Sequence, residues 1–276
     1  MRFMLCFMTW AAGCVSVLGA EAAPSALAEG GHYASVHGLK MYYEIHGQGR
    51  PLLLLHGGLS SIPLWPEAIT YFSKDYRVIA PEQMGHGLTA DDPARTMDYH
   101  AMAEDTAELL RQLDIREVYV LGWSDGGDVG LDLAINHPDL VKKLVVSGAN
   151  FQPDIPATPA DADKPAASDI PSFIREPYER LSPDGAAHWP VLVERVRRMW
   201  QTQPNFAAAQ LASITASTLV ISGDRDFYSP EYTTKLWRMV PWAHLWIAAD
   251  SPHELPTTRA PLFNSVVGDY LKEPAR

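Results

Sequence analysis

Apolar positions fall along this chain in two rhythms. Short, nearly continuous apolar runs read as strands covered on both faces, while residues recurring at three- and four-residue spacing read as helices with one buried stripe. Tyr33–Val36 and Lys40–Ile45 predict two antiparallel strands joined at His37-Gly38. Pro51–Leu55, Arg77–Ala80, Val118–Leu121, Leu144–Val146, Ser217–Gly223 and His244–Ile247 predict further strands. Between them, helices are expected over Glu67–Phe72, over Met97–Leu113 and from the residue after Ser124 to Asn136. Two more follow, over Glu231–Met239 and Leu262–Leu271. Met102, Ala103, Thr106, Leu109, Leu110 and Leu113 give the second helix its stripe. Strand and helix alternate repeatedly, the signature of an α/β protein with a mostly parallel central sheet flanked by helices.

The alternation breaks between residues 150 and 213. Five prolines from Phe151 through Pro171 predict an irregular connection. Phe173, Ile174, Tyr178 and Leu181 suggest a short helix interrupted by Pro177, and Pro190 suits the first turn of another. That second helix has Leu192, Val193, Val196, Met199 and Trp200 on one stripe. Such a segment, lying between core strands, reads as a small helical cap. The core then falls into two parts, residues 32–149 and 214–276.

The 276 residues and 47% hydrophobic content allow a sizeable core. A net charge of −11 leaves no basic stripe for neutralising phosphates, which argues against a nucleic-acid partner. At the N-terminus, Arg2 precedes an apolar run from Phe3 to Ala20, followed by small residues. Residues 1–22 are therefore expected to be a signal peptide, giving an exported protein, periplasmic or secreted. Ala11-Ala12-Gly13-Cys14 offers the alternative of a lipid anchor at Cys14 and a membrane-held lipoprotein. Any membrane contact is then made through this segment, the signal acting only transiently. Both cysteines, Cys6 and Cys14, lie inside it, so cleavage leaves no disulfide, thiolate nucleophile or thiolate metal site.

Candidate chemistry gathers at the ends of strands, where open α/β sheets bind ligands. Val118–Leu121 runs into Gly122-Trp123-Ser124-Asp125-Gly126, which fits G-x-S-x-G between a strand and a helix. A serine on so tight a turn lifts its hydroxyl clear of the sheet, and side chains at Gly122 and Gly126 would obstruct the turn. Ser124 needs a base to become a nucleophile, and His253 can supply it near neutral pH. A carboxylate must hold that histidine's tautomer, and Asp226 or Asp224 could do so. The order Ser, Asp, His suits this architecture.

With these residues in view, the chain resembles the α/β-hydrolases from about residue 33 to 271. The matching features are His56-Gly57-Gly58, Gly85-His86-Gly87, Gly122-Trp123-Ser124-Asp125-Gly126-Gly127, Gly223-x-x-Asp226-x-x-x-Pro230 and His253-x-x-Pro256, in that order. The resemblance places the acid at Asp226 and leaves Asp224 a solvated or turn-capping role. It implies an oxyanion hole made by the N–H groups of Asp125 and Gly58, with Leu59 as the fallback. Two departures stand out: Pro252 before the histidine, where relatives commonly have glycine, and Pro81-Glu82-Gln83-Met84, where they usually have aspartate and arginine.

The function implied is a serine hydrolase, carboxylesterase-like, that cleaves esters of small, largely apolar molecules through an acyl-enzyme. Relatives on this scaffold also cleave C–C bonds, lactones, aminoacyl esters or peptide bonds, and others keep the fold as silent binding proteins. Intact Ser124, Asp226 and His253 favour an enzyme. No cofactor is implied, and no metal, because a spacing such as H-E-x-x-H is missing. His56 and His86 are expected to brace loops. Leu59, Trp65, Trp123, Met199 and Trp200 are candidates for lining the substrate pocket. Asp125, beside the nucleophile, could bind a substrate ammonium group or simply suit the first turn of a helix.

Overall fold

The computed structural model describes residues 30–153, 167 and 170–275. The expected signal peptide and both cysteines lie outside these residues. An eight-stranded sheet carries the fold, in the order β1-β2-β4-β3-β5-β6-β7-β8. β1 (Gly31–Val36) and β2 (Leu39–His46) form the antiparallel edge. β2 is also antiparallel to β4 (Tyr76–Pro81). From β4 onward every pairing is parallel: β3 (Arg50–Leu55), β5 (Val118–Trp123), β6 (Val141–Ser147), β7 (Ser217–Arg225) and β8 (His244–Pro252).

The apolar run of β3 is explained by cover on both faces. Leu53 and Leu55 join one buried cluster, with residues of α2 (Tyr99–Gln112) and α3 (Asp125–Asn136). Leu52 and Leu54 join the opposite cluster, with residues of α1 (Pro66–Phe72) and α9 (Ala260–Lys272). A strand with period-two side chains can be apolar throughout only when both faces are dry. Lys143 in β6 is a lysine inside the sheet, with 0% of its surface exposed. Its Nζ donates to the carbonyls of Tyr270 and Glu273, both at 2.6 Å, and so caps the C-terminal turn of α9.

Several element boundaries differ from expectation by a few residues, and in three elements the local reason is plain. α2 begins at Tyr99 rather than Met97, because the Asp98 carboxylate caps it by accepting the Ala101 N–H at 2.7 Å. β8 continues to Pro252, because its pairing with β7 resumes beyond an irregularity at Gly223/Arg225. α4 (Ser172–Leu181) runs through Pro177 unbroken. The buried proline removes one bond from the helical ladder, and the helix persists around it. α6 (Ala208–Ala212) and α8 (Leu255–Thr258) are too short to show a helical period.

Between β6 and β7 the described α-helices are α4, α5 (Trp189–Thr202) and α6. Leu192, Val193, Val196 and Met199 of α5 are buried in the same apolar cluster as α2 and α3. Arg195 fastens α5 to the loop after β4. It donates to the Asp91 carboxylate at 2.7 Å and to the carbonyls of Asp92 and Arg95. α7 (Pro230–Met239) packs on β7 and β8. No helix among the described residues is long and apolar enough to cross a membrane.

Candidate active site

Sheet register assembles the site. β3 and β4 leave one side of the sheet centre and β5 resumes on the other, so the carboxyl ends of β3 and β5 meet at a topological switch point. Leu55 lies opposite Gly122, which brings the His56–Leu59 loop beside the turn at Ser124. Trp123 lies opposite Ser147, and the Ser124 N–H donates to the Ser147 carbonyl at 2.8 Å. β7 follows β6 and carries Asp226 just past its end; β8 follows β7 and carries His253 just past its own. Four strand ends therefore converge on one spot.

Ser124 sits at φ 54°, ψ −125°, immediately before α3. The left-handed φ is strained for a residue with a Cβ, and the turn holds it there because β5 and α3 are both packed. Added side chains at Gly122 or Gly126 would run into backbone atoms, of Gly126 and Leu55 respectively. The half-buried Ser124 Oγ lies 3.0 Å from His253 Nε2. His253 Nδ1 lies 2.8 Å from Asp226 Oδ1. The Asp226 side chain is 1% exposed, and its other oxygen accepts the Ser222 hydroxyl at 3.2 Å. With Nδ1–H donating to the carboxylate, Nε2 presents its lone pair to the serine hydroxyl, the arrangement a general base requires. Asp224 goes elsewhere: its carboxylate accepts the Ser251 N–H at 3.1 Å.

Two groups hold His253 in place: Trp123, which the sequence suggested only as a pocket-lining residue, and Gly148, which sequence reasoning did not single out. Trp123 Nε1 donates to the His253 carbonyl at 3.0 Å. Gly148, at φ +62° just beyond β6, passes so close that a Cβ there would lie 2.8 Å from His253 Cε1. The available signal was its place: a glycine directly after a strand, at the end of the sheet that carries the chemistry. Phe227 and Tyr228 also went unnoticed. Phe227 stacks on the imidazole at 4.6 Å and Tyr228 meets it edge-on at 6.4 Å.

On the other side of Ser124 lie Gly58, Leu59 and Asp125. The Leu59 N–H donates to His86 Nε2 at 3.1 Å, so this amide is engaged and Gly58 is the better placed donor of the loop. Added atoms on Gly58 would strike the Asp125 carboxylate and the Trp200 ring, which places all three together. Trp200 Nε1 donates to both carboxylate oxygens, at 2.9 and 3.0 Å, linking α5 to the first residue of α3. Burial drives the Tyr99 hydroxyl well above its ordinary pKa, with Asp125 and Asp128 adding to the effect.

The remaining pocket candidates occupy packed positions. Trp65 and Trp123 are buried with ring centroids 5.9 Å apart, and Met199 is buried beneath α5. Leu59 is buried with a left-handed φ of 58°.

His56 and His86 hold the loops. His56 Nδ1–H donates to the Gly57 carbonyl at 2.8 Å, while its Nε2 accepts the Gln83 N–H at 3.1 Å. His86 Nδ1–H donates to the Met84 carbonyl, and its Nε2 is the acceptor for Leu59. Both rings must be neutral to accept in this way. Burial, with the neighbouring His86 second, pulls His56 down to about 3; burial pulls His86 down to about 4. Beside them, burial pushes Glu82 up to about 8. Its carboxyl accepts the Ile62 N–H and lies 3.4 Å from His56 Nε2, a contact between two neutral groups at neutral pH. Among the described residues no group of three or more His, Cys, Asp or Glu could hold a metal ion.

Comparison with known proteins agrees with this architecture. The sequence pattern described as the alpha/beta hydrolase fold matches residues 50–192. A putative carbamate hydrolase, RutD of Stutzerimonas stutzeri, is 28% identical over 257 residues, covering 84% of this chain and 97% of the relative. A 2-hydroxymuconate semialdehyde hydrolase of Pseudomonas sp. is 26% identical over 275 residues, covering 91% of this chain and 97% of the relative. Among solved structures, a meta-cleavage product hydrolase of Pseudomonas fluorescens superposes with a TM-score of 0.76 at 20% identity, covering 87% of this chain and 97% of that one. An enol-lactonase of Burkholderia xenovorans gives 0.72 at 21%, covering 88% and 100%. At such identity these structures speak to the fold.

Proposed function

The chain belongs to the α/β-hydrolase fold family, and from that premise we propose that it is a serine hydrolase cleaving carboxylic esters of small, largely apolar molecules through an acyl-enzyme. One observation carries this reading: the unbroken line from Asp226 to His253 to Ser124, at 2.8 and 3.0 Å. His253 takes the serine proton as Oγ attacks the ester carbonyl. The developing oxyanion is held by the N–H groups of Gly58 and Asp125. Asp226 steadies the imidazolium and keeps its orientation. His253 then protonates the departing alcohol, and water releases the acid by the same steps.

The insertion serves as the cap on this reading. Its α5 reaches the nucleophile turn through Trp200, and that contact gives the cap a direct line to the acyl side of the site. A second reading, hydrolysis of aminoacyl esters, is favoured by the Asp125 carboxylate lying against Gly58, where an α-ammonium group would be drawn to it.

Ser124→Ala should lower kcat toward an activated ester by roughly four to six orders of magnitude. The same change should abolish labelling by a fluorophosphonate. Unchanged turnover by the folded variant would reject the assignment. A screen pairing acyl and aminoacyl esters of one alcohol with lactones and vinylogous diketones assigns the substrate class. Faster turnover of the aminoacyl member would select the second reading.

A further inference from the structure

Resting on the serine-hydrolase reading, we propose that the cavity beside His253 is the leaving-group subsite and takes a flat aromatic alcohol or phenol bearing a distal carboxylate. In acyl transfer the departing oxygen receives its proton from the catalytic imidazole, so the alcohol portion must lie on the imidazole side of the nucleophile. The oxyanion amides of Gly58 and Asp125 occupy the other side.

On the imidazole side the structure holds a cavity of about 590 Å³ whose lining includes Phe151, Phe227, Tyr228, Tyr232, Lys235 and Arg238. Its volume lies within the usual range for small-molecule sites. Phe227 and Tyr228 belong at once to this lining and to the packing around His253. From there the aromatic wall continues: Tyr228 stacks on Tyr232 at 5.2 Å, and Tyr232 stacks on Phe151 at 4.6 Å. The wall is fixed, because the Tyr232 hydroxyl accepts the N–H groups of both Phe151 and Gln152 at 3.2 Å. Phe227 is 76% exposed despite its size. An exposed ring clamped to the imidazole offers a second flat surface a place to stack.

The far part of the lining changes character. Tyr232, Lys235 and Arg238 follow one another at three-residue spacing along α7, so that helix face passes from aromatic to cationic. No acidic residue contributes to the cavity lining among the described residues. In a chain of net charge −11 the general field repels anions, so a local pair of cations at the end of an aromatic wall selects for a carboxylate at that end. Aromatic stacking then sets the plane of the leaving group and the cations set its direction.

The test measures binding of a leaving group without turnover. 6-Hydroxy-2-naphthoate and its methyl ester are titrated by fluorescence against the full chain, the Phe227→Ala variant and the Lys235→Met/Arg238→Met double variant. The acid should bind roughly three- to tenfold more tightly than the methyl ester at low salt, the range expected of two solvent-facing cations. The double variant should erase that preference, and Phe227→Ala should weaken both ligands. Equal binding of acid and ester to the unaltered chain, a preference that survives in the double variant, or binding indifferent to Phe227→Ala each overturns the proposal. Failure of this preference with Ser124 still labelled by fluorophosphonate removes the subsite alone. Retained preference with no labelling removes the hydrolase reading instead.

Discussion

The Gly58–Asp125 side of Ser124, the oxyanion site of the proposed mechanism, and its His253 side are made of different materials. Gly58 and Asp125 offer backbone amides, set in place by the register of β3 against β5 and by the first turn of α3. His253, Asp226, Phe227 and Tyr228 offer side chains brought in by loops after β7 and β8, some hundred residues farther along the chain. Backbone donors fixed by a sheet need no reorganisation when charge develops, which is the property an oxyanion site requires. A proton-transferring ring must instead be oriented by neighbours, and here those are a carboxylate, an indole-bonded carbonyl and a glycine. The first side is robust because it belongs to the core. The second depends on a few buried contacts between loops far apart in the chain.

That difference can be broken deliberately. On the His253 side the largest effect is expected at Asp226: Asp226→Asn preserves the shape yet favours the wrong tautomer of His253, and should lower kcat by roughly 10⁴. Gly148→Ala should reach the same imidazole by sterics, shifting it and lowering kcat by roughly 10². Steady-state kinetics on one activated ester compares the two. Full activity in Gly148→Ala would show that the ring has room the structure denies it.

On the loop-bracing side the signature is in stability rather than rate. Glu82 keeps its proton in the folded chain up to about 8, while its ordinary value is 4.5. Its contribution is therefore whole below 4.5 and is lost as pH rises toward 8. His56 and His86, held to about 3 and about 4 against an ordinary 6.5, contribute fully above 6.5 and lose that contribution as pH falls. The combined contribution of these three groups is greatest near pH 6.5. Glu82→Gln should remove up to about 2 kcal/mol of the decline from there to pH 8, at about 1.4 kcal/mol per unit. Denaturant unfolding across pH measures this; an unchanged alkaline slope would show that Glu82 ionises without penalty.

The smallest effect concerns the cap. Trp200→Phe removes the indole donor from Asp125 and should cost about 1–2 kcal/mol of stability. Acyl-chain preference across an ester series should change more than fluorophosphonate labelling of Ser124. Equal loss of both would mark Trp200 as a folding residue.

Much of this was legible from residue order. The doubled apolar faces of β3 and β5, the stripe of α2 and the glycine-flanked turn at Ser124 are local patterns whose physics is local. Asp226 and His253 could be named because strand ends are where an α/β sheet places its chemistry. Other features were not legible. Gly148 has no distinctive motif, and its value comes from an imidazole more than a hundred residues away. Lys143 lies just outside the strand expected at Leu144–Val146, and its buried place in β6 is understood only from the last carbonyls of α9 around it. Pro177 reads as a helix stop, yet α4 continues through it where the residue is buried. Trp65, Trp123 and Trp200 are alike as sequence, and only packing separates the two that lie in the core from the one that binds Asp125.

The sequence by itself determined the alternation of strands and helices and the turn that carries Ser124, and it named the candidates for the base and acid of the proposed mechanism, because each depends on short-range periodicity or on a position at a strand end. The tertiary structure alone decided which amide beside Ser124 is engaged, what holds His253, and that an aromatic wall ending in Lys235 and Arg238 stands next to it. Those are matters of distance between segments far apart in the chain, and sheet register and loop packing set such distances.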